Sequence, residues 1–217
     1  MPENAIFSHR TSETRETLFD PFNELWGKCG TAAIDRYWDG RSALSKKGHH
    51  WMNLTSVRSI WNEQTVFFYF ESWFDSLNVN PEWSREAATE GLWNKDVVDV
   101  FLKPGTAPNY FEIEVSPLGQ WANMRIVEPR VEVDLEWNSD LELETLLSKQ
   151  ESIWREFLGL SYESIWEEPP EVGTSWRGNL YRIAGKEPHR GYLAWRPAFT
   201  GPPDFHVPPS FCHLIFI

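Results

Sequence analysis

Three carboxylates stand close together on what reads as one β-hairpin: Asp99 in one apolar run, and Glu112 and Glu114 in the next. Residues 97–102 and 110–115 are rich in β-branched and aromatic types, and the 103–109 link between them holds two prolines and a glycine, which is turn chemistry. In the second run Phe111, Ile113 and Val115 alternate with Tyr110, Glu112, Glu114 and Ser116, the period of two of a strand with one wet face. A register in which Leu102 faces Asn109 gathers Val98, Val100 and Leu102 with the three apolar residues, and sets Asp99 opposite Glu112. Two carboxylates directly across a strand pair repel each other. Such a pair calls for an arginine or lysine, a bound cation, or a ligand that shares its hydrogen bonds. The other reading turns both acids to bulk water, where a charged strand face is ordinary.

The flanking elements decide what can reach those acids. Residues 74–92 are polar and form a long loop that delivers the chain to Trp93, just before the hairpin. After it, 121–127 continues the meander with Asn123 and Arg125 on the face opposite Met124 and Ile126, and Arg125 is a candidate counter-charge. Arg177 and Arg182, in a strand over 175–184, are further candidate partners of sheet carboxylates.

Elsewhere, 31–38 reads as a strand broken at Asp39-Gly40, and 51–61 with 65–73 as a hairpin turning at Asn62-Glu63. Residues 131–137, 192–195 and 213–217 supply more strands. The 141–160 stretch has two readings. Leu143, Leu146, Leu147, Trp154, Phe157 and Leu158 fall near one face of a helix, while alternation around a turn at 148–151 gives a hairpin. The hairpin is preferred because the other strands need covering. Residues 1–25 read as a polar strap. The expectation is a single all-β domain over 1–217, an antiparallel, jelly-roll-like β-sandwich with room for one short helix.

A net charge of -12 and a pI near 5.0, without a basic cluster, leave no electrostatic footprint for nucleic acid or an anionic membrane. The first residues lack an apolar core of signal-peptide length and no run approaches a membrane span, so a cytoplasmic location is expected. Cys29 and Cys212 could pair, but two lone cysteines in such a chain are more often reduced and buried. His49 and His50, adjacent in a polar loop, are a weak metal signal, and His189, His206 and His213 are scattered.

Five blocks in order, LWNKDVVDVFLKP, NYFEIEVSPLGQW, WRGNLYRIAG, YLAWRP and PDFHVPPSF, resemble the family 9-like carbohydrate-binding modules. The resemblance runs from about Thr31 to Phe216. It implies a β-sandwich with a non-catalytic site in which two aromatic side chains clamp a sugar ring while polar groups on the sheet bind its hydroxyls. Carried over, the aromatics are Trp93 and Phe205, and the polar positions are Asp99, Glu112, Glu114 and Asn179. Phe205 stands where sugar-binding members carry tryptophan, Asp99 where a glutamate is usual, and Cys212 where a glycine is usual. The family also implies structural calcium in oxygen-rich loops, for which Asp75, Asn78, Asn80 and Asp96 are candidates, without EF-hand-like spacing.

The expected function is therefore binding of a mono- or oligosaccharide without catalysis, with Arg125 or Arg182 completing the polar anchors. Two alternatives stay open. Opposed strand residues hold their Cβ atoms about 4.5–5.5 Å apart and retaining glycosidases place their carboxyl groups about 5–5.5 Å apart, so Asp99 and Glu112 could hydrolyse a glycoside. A sandwich that only binds another protein would use the aromatic surplus, 13 tryptophans and 14 phenylalanines, as an interface.

Overall fold

The computed structural model describes residues 5–43, 54–166 and 168–217. His49, His50 and the beginning of the 51–61 run lie outside them. In chain order the first strands are β1 (Ala5–Arg10), β2 (Ala32–Ile34), β3 (Arg36–Tyr37), β4 (Thr55–Trp61) and β5 (Thr65–Trp73). The meander β6 (Val97–Lys103), β7 (Tyr110–Val115), β8 (Trp121–Glu128) and β9 (Glu132–Asp134) follows. The hairpin β10 (Glu142–Ser148) and β11 (Ile153–Ser161) comes next, then β12 (Ser175–Ala184), β13 (Gly191–Ala194) and β14 (Cys212–Phe216). Among the described residues three short α-helices accompany them, α1 (Arg15–Leu18), α2 (Glu24–Lys28) and α3 (Tyr162–Ile165), rather than the one expected. None is long and apolar enough to cross a membrane among the described residues.

The strands run in the order β10-β11-β5-β4-β1-β14-β12-β6-β7-β8-β9, with β2 on β4 and with β13 between β12 and β3. They make a sandwich of two sheets joined along one edge by β1. Ala5 to Ser8 pair with β14 and His9 to Arg10 pair with β4, both in parallel, while the remaining pairs are antiparallel. A strand here departs from the strap expected over 1–25. Its six residues, AIFSHR, carry only two buried positions, Ile6 and Ser8, and the Ser8 hydroxyl bonds that of Ser59 at 2.8 Å. So short and polar a run gives little periodicity to read. The 31–38 run is split at Asp35, so that β2 pairs with one sheet and β3 with the other.

The stretch from 141 to 160 forms the hairpin rather than the helix, pairing Glu142 to Ser148 with Gly159 to Ile153. Strand β11 is then zipped along the whole of β5, from Ile153↔Trp73 to Ser161↔Thr65. An isolated helix would leave that edge of β5 without backbone partners. Between the sheets lies the main core, which includes Val98, Val100, Leu102, Phe111, Ile113, Phe68, Phe70, Trp154 and Trp176. The two thiols are free, Cys29 buried and Cys212 half-buried, and burial pushes Cys29 up to about 11.

Candidate functional site

The site lies on the outer face of the sheet that holds the meander. In β6 and β7 the register is Leu102↔Phe111, Val100↔Ile113 and Asp99↔Glu114. Glu112 faces Phe101, so the expected partner of Asp99 is replaced by the acid two residues on. Leu102 faces Phe111 rather than Asn109, so the link between the strands takes up two more residues on the β7 side than the expected register gave it. A slip of two residues keeps every side chain on its face. The apolar residues still point to the core, and all three acids share the outer face with Phe101, Tyr110, Tyr181 and Met124.

Above this face the chain builds walls. The turn Leu92–Asn94 follows Gly91, whose φ of 79° is a backbone conformation that favours glycine. Leu92 is buried beneath it and Trp93 is left 39% exposed. Arg190 fastens this turn from across the sheet, its guanidinium donating to the carbonyls of Trp93, Asn94 (3.1 Å) and Lys95 (3.3 Å). On the other side, the proline-rich loop before β14 brings in Phe205. Its ring stacks on Tyr181, with centroids 4.0 Å apart and planes 10° from parallel, and its carbonyl accepts from the Tyr181 hydroxyl at 3.1 Å. Trp93, Tyr192 and Phe205 line a cavity of about 320 Å³ together with Asp99, Glu112, Glu114, Arg130, Asp204 and His206.

The floor is electrostatically costly. Asp99, Glu112 and Glu114 are buried, and one oxygen of each (Oδ1, Oε2 and Oε2) has no hydrogen-bond partner among the described residues. An ionised carboxylate taken from water without a partner loses several kcal/mol of hydration. Burial accordingly raises all three acids, and repulsion from Asp99 raises Glu112 and Glu114 further. Relief is partial: the backbone amide of Trp93 bonds Glu114, while the charges of Arg190 and Arg130 act from the rim. Arg130 is ion-paired with Asp204. His206 shares a 2.7 Å hydrogen bond between Nδ1 and the Tyr110 hydroxyl, and its Nε2 lies 3.6 Å from Glu112 Oε2. Burial, then Arg130, lowers this imidazole to about 4, so it is neutral at pH 7 and supplies no counter-charge.

No family model matches the chain, and no curated protein matches it. Solved structures do. A candidate carbohydrate-binding protein from Bacteroides uniformis superposes with a TM-score of 0.74 at 15% identity, over 99% of each chain. A family 9 carbohydrate-binding module from Caldicellulosiruptor kristjanssonii in complex with glucose superposes with a TM-score of 0.66 at 14% identity, over 98% of this chain and 95% of that one. The same module in complex with cellotriose gives 0.66 at 13% identity, over 98% and 93%. The fold is that of the family 9 modules.

Within this family 9 fold, five of the residues expected at the site line the cavity: Trp93, Asp99, Glu112, Glu114 and Phe205. Three do not. Arg125 pairs with Phe111 on the side of β8 opposite Met124, so it lies on the other face of the sheet from the acids, and it bonds Asp134 at 2.6 Å near the surface. Arg182 pairs with Val98 and is buried between the sheets. There its guanidinium lies 5.3 Å over the Trp154 ring and donates to the Thr55 hydroxyl at 3.1 Å. Burial there pushes it down to about 10, against the charges of Asp96 and Glu156. Asn179 is on the acid face but fully occupied, donating to the Tyr181 hydroxyl and the Arg196 carbonyl at 2.8 Å each and accepting from Leu180 and Arg196 amides. It braces the platform under Phe205.

Arg130, Asp204, His206, Tyr192 and Arg190 join the site without having been expected there. Asp204 and His206 flank Phe205 directly, so a loop that delivers the aromatic also delivers them; that adjacency is the signal the sequence offers. Arg130 comes from the Glu128-Pro129-Arg130 turn after β8, at φ 67°.

The calcium candidates on the 74–96 loop do not form a cage. Asp96 is buried, but its oxygens accept from the amides of Asn78 (3.0 Å) and Gly185 (2.6 Å), and Asn80 Oδ1 accepts from the Glu82 amide. Asp75 is exposed, and no group of three or more acidic, histidine or cysteine side chains among the described residues could hold a metal ion. Asp96 instead pins the loop that carries Trp93 to β12.

Proposed function

We propose that this chain binds a carbohydrate without catalysis, in the cavity between Trp93 and Phe205. The observation that carries the reading is the floor itself: three buried carboxylates, each with an oxygen unpartnered among the described residues, under aromatic walls. Vicinal hydroxyls can donate to those oxygens, while the apolar C–H face of a pyranose suits an indole or phenyl face. The fold is shared with a module solved with glucose and with cellotriose, which makes these two the first ligands to try.

Binding is favoured over hydrolysis by the electrostatics. A retaining glycosidase needs one carboxylate ionised as nucleophile beside one protonated acid. Here the same burial raises all three, and the neutral His206 gives none of them a charged partner that would hold it ionised as a nucleophile. Titration calorimetry with glucose, cellotriose and a panel of other sugars tests the proposal. Saturable binding that is weakened at least tenfold in Trp93→Ala supports it; silence across the panel, or binding indifferent to Trp93→Ala, overturns it.

A further inference from the structure

The cavity holds more acidic groups than a neutral sugar needs. Asp99 and Glu114 face each other across the strand pair, and Glu112 follows Glu114 on the same face, about 7 Å along the strand at the usual rise per residue. The cations around them are committed elsewhere. Arg130 is paired with Asp204, Arg190 spends its two terminal nitrogens on three backbone carbonyls and acts on Asp99 and Glu114 only through its charge at the rim, and Lys95 lies 5.7 Å over the Trp83 ring. Tyr110 and His206 bond each other, and Tyr181 serves Phe205. Among the described residues no cationic side chain therefore hydrogen-bonds any of the three unpartnered oxygens. A bare metal ion is a poor answer, since the acids are strung along the sheet rather than gathered into a coordination shell, and no metal-holding group exists among the described residues.

We infer that the ligand best matched to this cavity is a sugar bearing a protonated amine, with the ammonium on the Asp99–Glu114 pair and the ring hydroxyls on Glu112 and the rim. This rests on the carbohydrate-binding reading and narrows it to amino sugars. Cost and gain both follow from geometry. The ammonium replaces a repelling acid pair by an attracting triad inside a low-dielectric cavity, where Coulomb energies far exceed those in water. Trp93 adds a face on which a cation is stabilised. An N-acetylated sugar loses the charge and presents the acids with a bulkier amide.

A linked signature separates this from ordinary sugar binding. Because burial raises the three acids, the empty cavity holds protons that an incoming ammonium must displace. A neutral sugar can instead accept a hydrogen bond from a protonated carboxyl and displaces none. Binding of glucosamine is thus accompanied by proton release, and its affinity rises from about pH 6 towards neutrality, until the amine, as weakly basic as an α-amino group (about 7.7–8.0), begins to lose its own charge.

The test is calorimetry on the full chain with D-glucosamine, D-glucose and N-acetyl-D-glucosamine, run at about pH 6.5 in two buffers of different ionisation enthalpy. The expected result is glucosamine at least tenfold tighter than either neutral sugar, with buffer-dependent heat reporting proton release, and a preference that shrinks towards unity in Glu114→Gln. Glucose as tight as glucosamine, or glucosamine binding without proton release, overturns the inference and leaves the carbohydrate reading standing. Absence of binding by all three, and by cellotriose, overturns both.

Discussion

The two sheets of the sandwich turn opposite outer faces to their surroundings, and the chain treats them differently. Over the sheet of β4, β5 and β11, the segment with α1 and α2 lays Leu18, Phe19 and Trp26 on Phe67, Tyr69 and Phe157. The Phe157 ring stacks on Tyr69 at 4.7 Å, and Trp26 anchors itself by donating from Nε1 to the Leu18 carbonyl at 2.7 Å. That face is sealed, apolar and hydrogen-bonded. Over the sheet of β6, β7, β8 and β12, loops bring aromatic side chains too, but they stand around a gap with three carboxylates beneath it. The same device, aromatics over a sheet, is thus used once to close a surface and once to leave it open with its polar groups unsatisfied. Folding favours the first arrangement, so the second points to a ligand.

Substitutions should separate the two faces. The largest expected effect is on the sealed one: Trp26→Ala removes a buried indole and costs about 3–5 kcal/mol in denaturant unfolding, while a sugar titration is left unchanged. On the open face the sign reverses. Glu114→Gln keeps the shape and removes a buried, repelling acid, and stability at pH 7 rises by about 1–3 kcal/mol, measured as a higher midpoint of denaturation; a loss of stability would mean that the acid is satisfied within the fold.

The acids also set a pH dependence. Each has a folded pKa above its unfolded value, so between the two the folded state holds protons that the unfolded chain releases, and stability falls as pH rises. His206 works the other way, because its value is depressed from 6.5 to about 4 and stability is lost as pH falls through that window. Above about pH 6.5 only the acids act. Unfolding measured from there up to about pH 8 should show declining stability, with a shallower decline in Glu114→Gln. The smallest expected effect on stability is at Trp93, whose side chain is half-exposed. Trp93→Ala should move it by no more than about 1 kcal/mol while abolishing most sugar affinity, a split that a merely structural tryptophan would not produce.

Much of this arrangement is legible in the amino-acid sequence. The acids, Trp93 and Phe205 follow from alternation in the hairpin and from the ordered blocks, and the face of each acid survives an error of two residues in register because side chains repeat every two. The counter-charges are not legible. Arg125 is on the wrong face by parity with Met124, which becomes decisive only once Met124 is seen to share Glu112's side. The fate of Arg182 depends on pairing between β12 and β6, strands more than seventy residues apart whose register no local pattern specifies. Arg130, Asp204 and His206 come from turns and a proline-rich loop, where no periodicity points a side chain anywhere. The β1 strand is hidden for a related reason, since its stability comes from two distant partners rather than from its own six residues.

The central claim is that the open face takes a sugar into its acid-floored cavity, and Met124 reports on it directly. It lines that cavity and is one of only three methionines in the chain, so its methyl resonance can be assigned with a single Met124→Leu variant. With methyl-labelled methionine, titration with glucose or glucosamine should shift the Met124 signal saturably. A Met124 resonance that stays fixed while sugar is raised to high millimolar concentration would contradict the account.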